Sequence, residues 1–245
     1  MLSFKDHPFA IEAHFERSLV LAYAAPVENI KPFLPQCLSP DTLNEKWGFI
    51  AAAFVQVKGL RPKGFPAVMG SAFFLAGYRI FVRYIDKNGK RLRGLYILGS
   101  ETDKRRMTFL GNIFTHYHYS TTDIRVVADK NTLGISSNKS GLEIEALLNI
   151  KEPALPAGSP FHDWKEARRF AGPLPFTFFF DDQTSKVTII EGVRENWIPQ
   201  PVQIRRDKIA FIEDKKIPGL VLANAFIIEN IPYSWKKGRV ETWKL

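Results

Sequence analysis

Asn88-Gly89 sits between two apolar runs, residues 78–85 and 92–99, inside the turn-forming stretch Asp86-Lys87-Asn88-Gly89-Lys90. An Asn-Gly pair readily adopts the positive backbone angles of a tight hairpin, so two antiparallel strands are predicted here. Other segments read as strands too: 18–24, 47–57, 116–127, 142–148, 176–180, 187–193, 202–206, 209–213, 222–231 and part of 234–242. Helical signals are few. Residues 26–34 begin with a proline, which a first helical turn tolerates. Thr102 or Asp103 is placed to cap a helix bearing Met107, Leu110 and Phe114 at helical spacing. Residues 163–170 form a short helix within a Pro/Gly-rich loop. About ten strands and three short helices predict a mostly β (α+β) fold. Its expected form is a closed or nearly closed antiparallel β-barrel or cone, because closure removes exposed strand edges. A barrel of this size can hold one small ligand.

The 245 residues suit one domain spanning 1–245, and the 20 phenylalanines suit a β-rich core. Cys37 is the only cysteine, so no intrachain disulfide forms, as in a reducing compartment. The N-terminus lacks a signal-peptide pattern, and no apolar run approaches the roughly 20 residues of a membrane span. A cytoplasmic protein with no membrane partner is expected. A homo-oligomer is compatible with the sequence.

The net charge is +9, and residues 79–106 carry nine Lys/Arg against three acids. Such a patch can attract phosphate-bearing partners, although a solvated hairpin is the commoner outcome. Residues 78–84 alternate aromatic and basic side chains, a pattern on which single-stranded nucleic acid can stack. Binary patterning favours one core face, with Tyr78, Ile80, Val82 and Tyr84, and a charged exterior with Arg79, Phe81 and Arg83. No nucleic-acid partner is expected. His116-x-His118 is a candidate metal pair without a third ligand, so no metal is expected. No G-x-S-x-G, G-x-G-x-x-G or Walker pattern occurs, and no cofactor is expected.

Three segments together resemble the uncharacterised YqjF-like family (DUF2071), within the acetoacetate decarboxylase-like superfamily. They are Arg17 with Leu19-Val20-Leu21-Ala22-Tyr23 and Leu34-Pro35; Gly94-Leu95-Tyr96 with Asp103 and Gly111; and Glu191-Gly192, Trp197-Ile198-Pro199 and Tyr233-Ser234-Trp235. The resemblance implies a closed or nearly closed β architecture with one internal cavity. It also implies a small organic acid or carbonyl compound as ligand. Arg17 stands one place nearer the tyrosine than in the decarboxylases, and one place on a strand exchanges faces.

The decarboxylases use a lysine that forms a Schiff base, in a Pro-Lys-Lys step. The same interval from Gly111 lands here on Tyr119, and a tyrosine forms no imine. Lys104, between cationic neighbours, opens a helix and is expected to face solvent. Schiff-base chemistry is therefore not expected; any catalysis would be that of a lysine-independent lyase or hydrolase. If Tyr119 faces the cavity, strand alternation points Tyr117 the same way and turns His116 and His118 outward; the alternative is that both rings are core packing with satisfied hydroxyls. The candidate ligand-binding residues are Arg17, Arg79, Tyr117 and Tyr119. The alternative is a non-enzymatic module that binds phosphate-bearing partners through the basic 79–106 surface.

Overall fold

In the computed structural model, which describes residues 4–151, 153–170 and 174–243, the chain is mainly strand. It begins with β1 (Ile11–Pro26), α1 (Val27–Ile30), β2 (Ser39–Pro40), β3 (Trp47–Pro62), β4 (Ser71–Ile85) and β5 (Arg91–Thr102). Helix α2 (Arg105–Phe114) leads into β6 (Tyr119–Thr121), β7 (Arg125–Ala128), β8 (Thr132–Ser137) and β9 (Leu142–Leu147). Helix α3 (Trp164–Phe170) precedes β10 (Phe176–Asp181), β11 (Lys186–Arg194), β12 (Gln200–Pro201) and β13 (Gln203–Ile209). The rest comprises α4 (Ala210–Glu213), β14 (Val221–Trp235) and β15 (Arg239–Thr242).

The predicted hairpin joins β4 to β5. Asp86 Oδ1 accepts the backbone N–H groups of Asn88 and Lys90, both at 3.0 Å, and Gly89 takes a φ of 76°. Pairing then runs β14–β1–β3–β4–β5–β10–β11. It returns to β14 through Gly192–Trp235, Val193–Ser234 and Arg194–Tyr233. The result is a nearly closed ring of strands. The expected antiparallel order has two exceptions: β10 and β6 both pair with β5 in parallel. Gly94 makes the first possible, since a Cβ there would lie 2.3 Å from the Phe176 carbonyl oxygen.

The ring strands bury both faces, and each face has its own core. One core joins Leu19, Leu21, Ile50, Phe54, Ile80 and Phe178 to Leu133, Ile135, Ile144 and Ile209 of a four-stranded sheet ordered β13-β9-β8-β7. The other joins Ala22, Phe49, Ala51, Phe81, Phe226 and Ile228 to Phe161, Ala167 and Leu174, which lie in or beside α3. The predicted charged exterior of β4 is thus a second buried face.

Three local expectations change. Residues 209–213 were expected as a strand, but a helical turn forms, and the Glu213 carboxylate reaches back to accept the Ile209 N–H at 3.2 Å. Neither Thr102 nor Asp103 is the cap of α2; Lys104 stands there, and Asp103 Oδ1 accepts the Phe74 N–H at 2.8 Å. Residues 116–127 do not form one strand. His118 has a φ of 50°, which breaks the alternation, and pairing resumes separately in β6 and β7. No helix among the described residues is long and apolar enough to cross a membrane.

His7 is buried after the first turn of chain, with its Nδ1 unpaired. Burial pushes its imidazole down to about 4, and backbone groups of Lys236 and Phe9 offset this only in part. Between that value and the ordinary 6.5 the unfolded chain takes up a proton that the folded chain does not. Stability therefore falls as pH drops through this window and is insensitive to His7 above it. His7→Asn suits the positive φ of 56° and removes the titration. Urea unfolding from pH 7 to pH 4 should show the wild type losing up to about 3 kcal/mol relative to His7→Asn. A pH-independent difference would show that His7 is solvated.

Candidate functional site

The second core is incomplete where β1, β3, β4, β5 and β14 approach α3. A cavity of about 70 Å³ lies there, lined by apolar side chains including Ala22, Ala51, Phe81, Leu95, Phe226 and Ile228. That is several times the roughly 10–15 Å³ needed to admit a single water. Its polar lining is Arg79, Arg168, Arg194, Trp197 and Asn224, with no aspartate or glutamate. Larger grooves exist on the described surface, and in two of them a guanidinium is already paired, Arg61 with Glu12 and Arg17 with Glu229.

Arg79 is placed by the alternation of β4, which puts it on the same face as Phe73 and Phe81. Its Nε is buried without a hydrogen-bond partner, and no carboxylate pairs with it among the described residues. Burial pushes its guanidinium down to about 10; its titratable neighbours are Tyr233, Arg194, Tyr117 and Tyr119. Arg194 is also shifted down by burial. Its Nη2 donates to the Leu174 carbonyl at 2.8 Å, and its Cζ lies 4.5 Å from the Trp197 ring centroid and 5.6 Å from that of Tyr233. Tyr233 fits because residue 192 is glycine: a Cβ there would lie 2.1 Å from the Tyr233 hydroxyl.

Tyr117 and Tyr119 do come together, with ring centroids 6.2 Å apart. They meet through a bend and not through strand alternation. The Asn112 side chain clamps the Tyr119 backbone, accepting its N–H at 2.8 Å and donating to its carbonyl at 2.9 Å. A Cβ on Gly111 would fall 2.4 Å from the Tyr119 ring, so the glycine makes room for it. Burial raises both phenols, and Arg79 lowers them in part. The Tyr117 hydroxyl is buried near Thr177 without making a well-formed hydrogen bond.

Arg17 does not join this group. The pairing of β1 with β3 slips between Phe15 and Arg17, and such a bulge exchanges the faces beyond it. Ala13 and Phe15 belong to the second core, whereas Leu19 and Leu21 belong to the first. Arg17 faces a separate groove and pairs with Glu229 at 2.8 Å. His116 stacks on Phe179 with centroids 3.5 Å apart, and His118 is exposed, both bordering a surface groove apart from the Arg79 cavity. Among the described residues no three metal-ligating side chains converge.

The basic 79–106 segment does not form one surface. Arg79 is interior, Arg83 and Arg93 both close on the fully buried Asp41, and Lys104 pairs with Asp103 at 3.2 Å. The exposed remainder sits at the two ends of β5, roughly 35–40 Å apart at strand rise. No described lysine is buried.

Residues 12–241 match the pattern of DUF2071, described as an uncharacterized conserved protein. The chain belongs to the DUF2071 family. No curated protein matches. This DUF2071 chain is similar in fold to acetoacetate decarboxylase from Legionella pneumophila, with a TM-score of 0.63 and 12% identity over 96% of this chain and 88% of that one. An acetoacetate decarboxylase-like enzyme from Sphingomonas wittichii RW1 gives 0.61 and 10%, over 99% and 96%. The enduracididine biosynthesis enzyme MppR, complexed with pyruvate, gives 0.57 and 10%, over 100% and 93%. At these identities the likeness is one of fold, and the DUF2071 chain has the acetoacetate decarboxylase-like architecture.

Of the residues the sequence singled out, Arg79 lines this cavity, whereas Tyr117 and Tyr119 were expected to line it and do not; Tyr119 borders a separate surface groove with Asn112, Thr115, His116 and His118. The lining residues Arg194, Trp197 and Asn224 were not among the candidates. Asn224 had a visible signal, as the lone amide in the apolar run Leu220-Val221-Leu222-Ala223-Asn224-Ala225-Phe226-Ile227-Ile228.

Proposed function

We propose that this DUF2071 protein binds a small organic acid or carbonyl compound in the Arg79 cavity, without a Schiff-base lysine. The observation that carries this reading is the half-buried Arg79 guanidinium beside Arg194; the Arg79 Nε is buried without a partner, and the group pairs with no carboxylate among the described residues. A buried charge is costly unless something neutralises it, and the described lining supplies no acid to do so. A carboxylate accepts two parallel bonds from a guanidinium. Tyr117 and Tyr119, as neighbours of Arg79, would contribute hydroxyls toward a carbonyl or carboxylate. The cavity volume suits a molecule the size of pyruvate, and pyruvate is the molecule named with the similarly folded MppR. An imine-forming lysine must be desolvated to be nucleophilic, and the described lysines are not. The alternative, a basic surface for phosphate-bearing partners, is disfavoured because the 79–106 charges are paired, buried or far apart.

Calorimetric titration with pyruvate tests the reading. Arg79→Met should weaken binding at least roughly thirty-fold, as expected for truncating a buried charge pair. The same variant should unfold at the wild-type temperature or higher, because it removes an uncompensated buried charge. Borohydride added to the pyruvate complex should leave no lysine adduct. Unchanged affinity in Arg79→Met, or a reduced lysine adduct, would overturn the proposal.

A further inference from the structure

The cavity holds one polar group that a simple carboxylate does not satisfy. Asn224 is wholly buried on β14, and neither Oδ1 nor Nδ2 finds a partner within the chain. The other unpaired groups at the site differ in kind. Arg79 Nε and Trp197 Nε1 can only donate. The Asn224 amide requires a donor and an acceptor together, whichever way its oxygen and nitrogen are assigned. Its strand partner Ala22 and the lining residues Phe226 and Ile228 offer its side chain no hydrogen bond.

We infer that the ligand is a small hydroxy acid in preference to a keto acid, with Asn224 reading the hydroxyl; this rests on the carboxylate-binding role of the Arg79 cavity. A keto acid presents acceptors only. Its oxygens satisfy the arginines, Trp197 and the amide nitrogen, and leave the amide oxygen of Asn224 without a donor. A hydroxyl donates to that oxygen and accepts from another group, so a hydroxy acid satisfies both sides of the inventory. Sites built around a buried hydrogen-bonding group reject analogues that leave it unpaired. Asn224 is thus a specificity-determining residue, separate from the cationic anchor.

Calorimetric titration with both lactate enantiomers and with pyruvate distinguishes the cases. Wild type should bind one lactate enantiomer at least roughly ten-fold more tightly than pyruvate, the scale set by an unpaired buried polar group. In Asn224→Leu, which keeps the volume and removes the amide, that ratio should collapse toward one. Equal or tighter binding of pyruvate by wild type overturns the hydroxy-acid inference and leaves carboxylate binding standing. A lactate preference that survives in Asn224→Leu removes Asn224 as the reader. Binding of neither acid by wild type overturns the cavity's assignment and this inference with it. If Asn224→Leu does not fold, the wild-type ratio alone decides whether the ligand class is right.

Discussion

Asp41→Ala is expected to lower the unfolding temperature by roughly 10 °C, corresponding to about 3 kcal/mol in a chain of this size. Asp41 is completely buried, yet both its oxygens are used. Arg83 donates to Oδ1, and Arg93 Nε donates to Oδ2 at 2.7 Å. Arg83 also reaches the Thr42 carbonyl, and Arg93 reaches the Phe170 carbonyl at 3.0 Å. One carboxylate therefore ties the loop after β2 to β4, β5 and the end of α3. Alanine would leave two guanidiniums without their counter-charge. Both arginine side chains are 30–41% exposed, which tempers the penalty and places it at the low end for a broken buried pair. Arg83→Met should be milder, since Asp41 then keeps Arg93. Differential scanning calorimetry of the two variants checks the order, and equal losses would show that the carboxylate is not the hub.

Gly94→Ala is the second large effect. The new methyl would stand 2.3 Å from a backbone oxygen and 2.6 Å from the Phe178 ring. A side chain can rotate away, but the Phe176 carbonyl is fixed by the parallel register Phe176–Gly94, Thr177–Leu95, Phe178–Tyr96. The junction between β5 and β10 must separate, at a loss of about 3 kcal/mol or more. Thr177 then moves away from Tyr117, so pyruvate binding should weaken in parallel with stability. Gly134→Ala is the matched control. Its Cβ would meet only the Val127 carbonyl, at 3.6 Å, an ordinary contact. Thermal unfolding of both should show a large drop for Gly94→Ala and almost none for Gly134→Ala. A small drop for Gly94→Ala would mean that the ring junction yields easily.

What the sequence revealed depended on how local each cause was. The Asn88-Gly89 hairpin and the alternation of β4 are local, and both were legible; so was the placing of Arg79 on the face opposite Tyr78. Arg17 was misplaced because a bulge at residues 15–17 exchanges faces, and nothing in Phe15-Glu16-Arg17 announces it. Tyr117 and Tyr119 were paired for a reason that fails, since a left-handed His118 and the Asn112 clamp position them instead of a strand. The parallel pairing of β10 with β5 joins segments some eighty residues apart, beyond any periodicity argument. Arg194 and Tyr233 meet only across the junction of β11 and β14. Asn224 was legible as an oddity, one amide in an apolar strand, but its meaning needed the cavity.

That last junction also sets when the site comes into being. Arg79, Arg194, Asn224 and Tyr233 are contributed by three strands scattered along the chain, β4, β11 and β14, and β14 must dock against both β1 and β11 to bring them together. Bringing such distant segments into register is slow, because loop closure must precede the contacts that reward it. The cationic chamber is therefore absent from any folding species in which the last long strand is still free. Ligand affinity in this protein reports the completed ring, and refolding followed by pyruvate binding would time its closure.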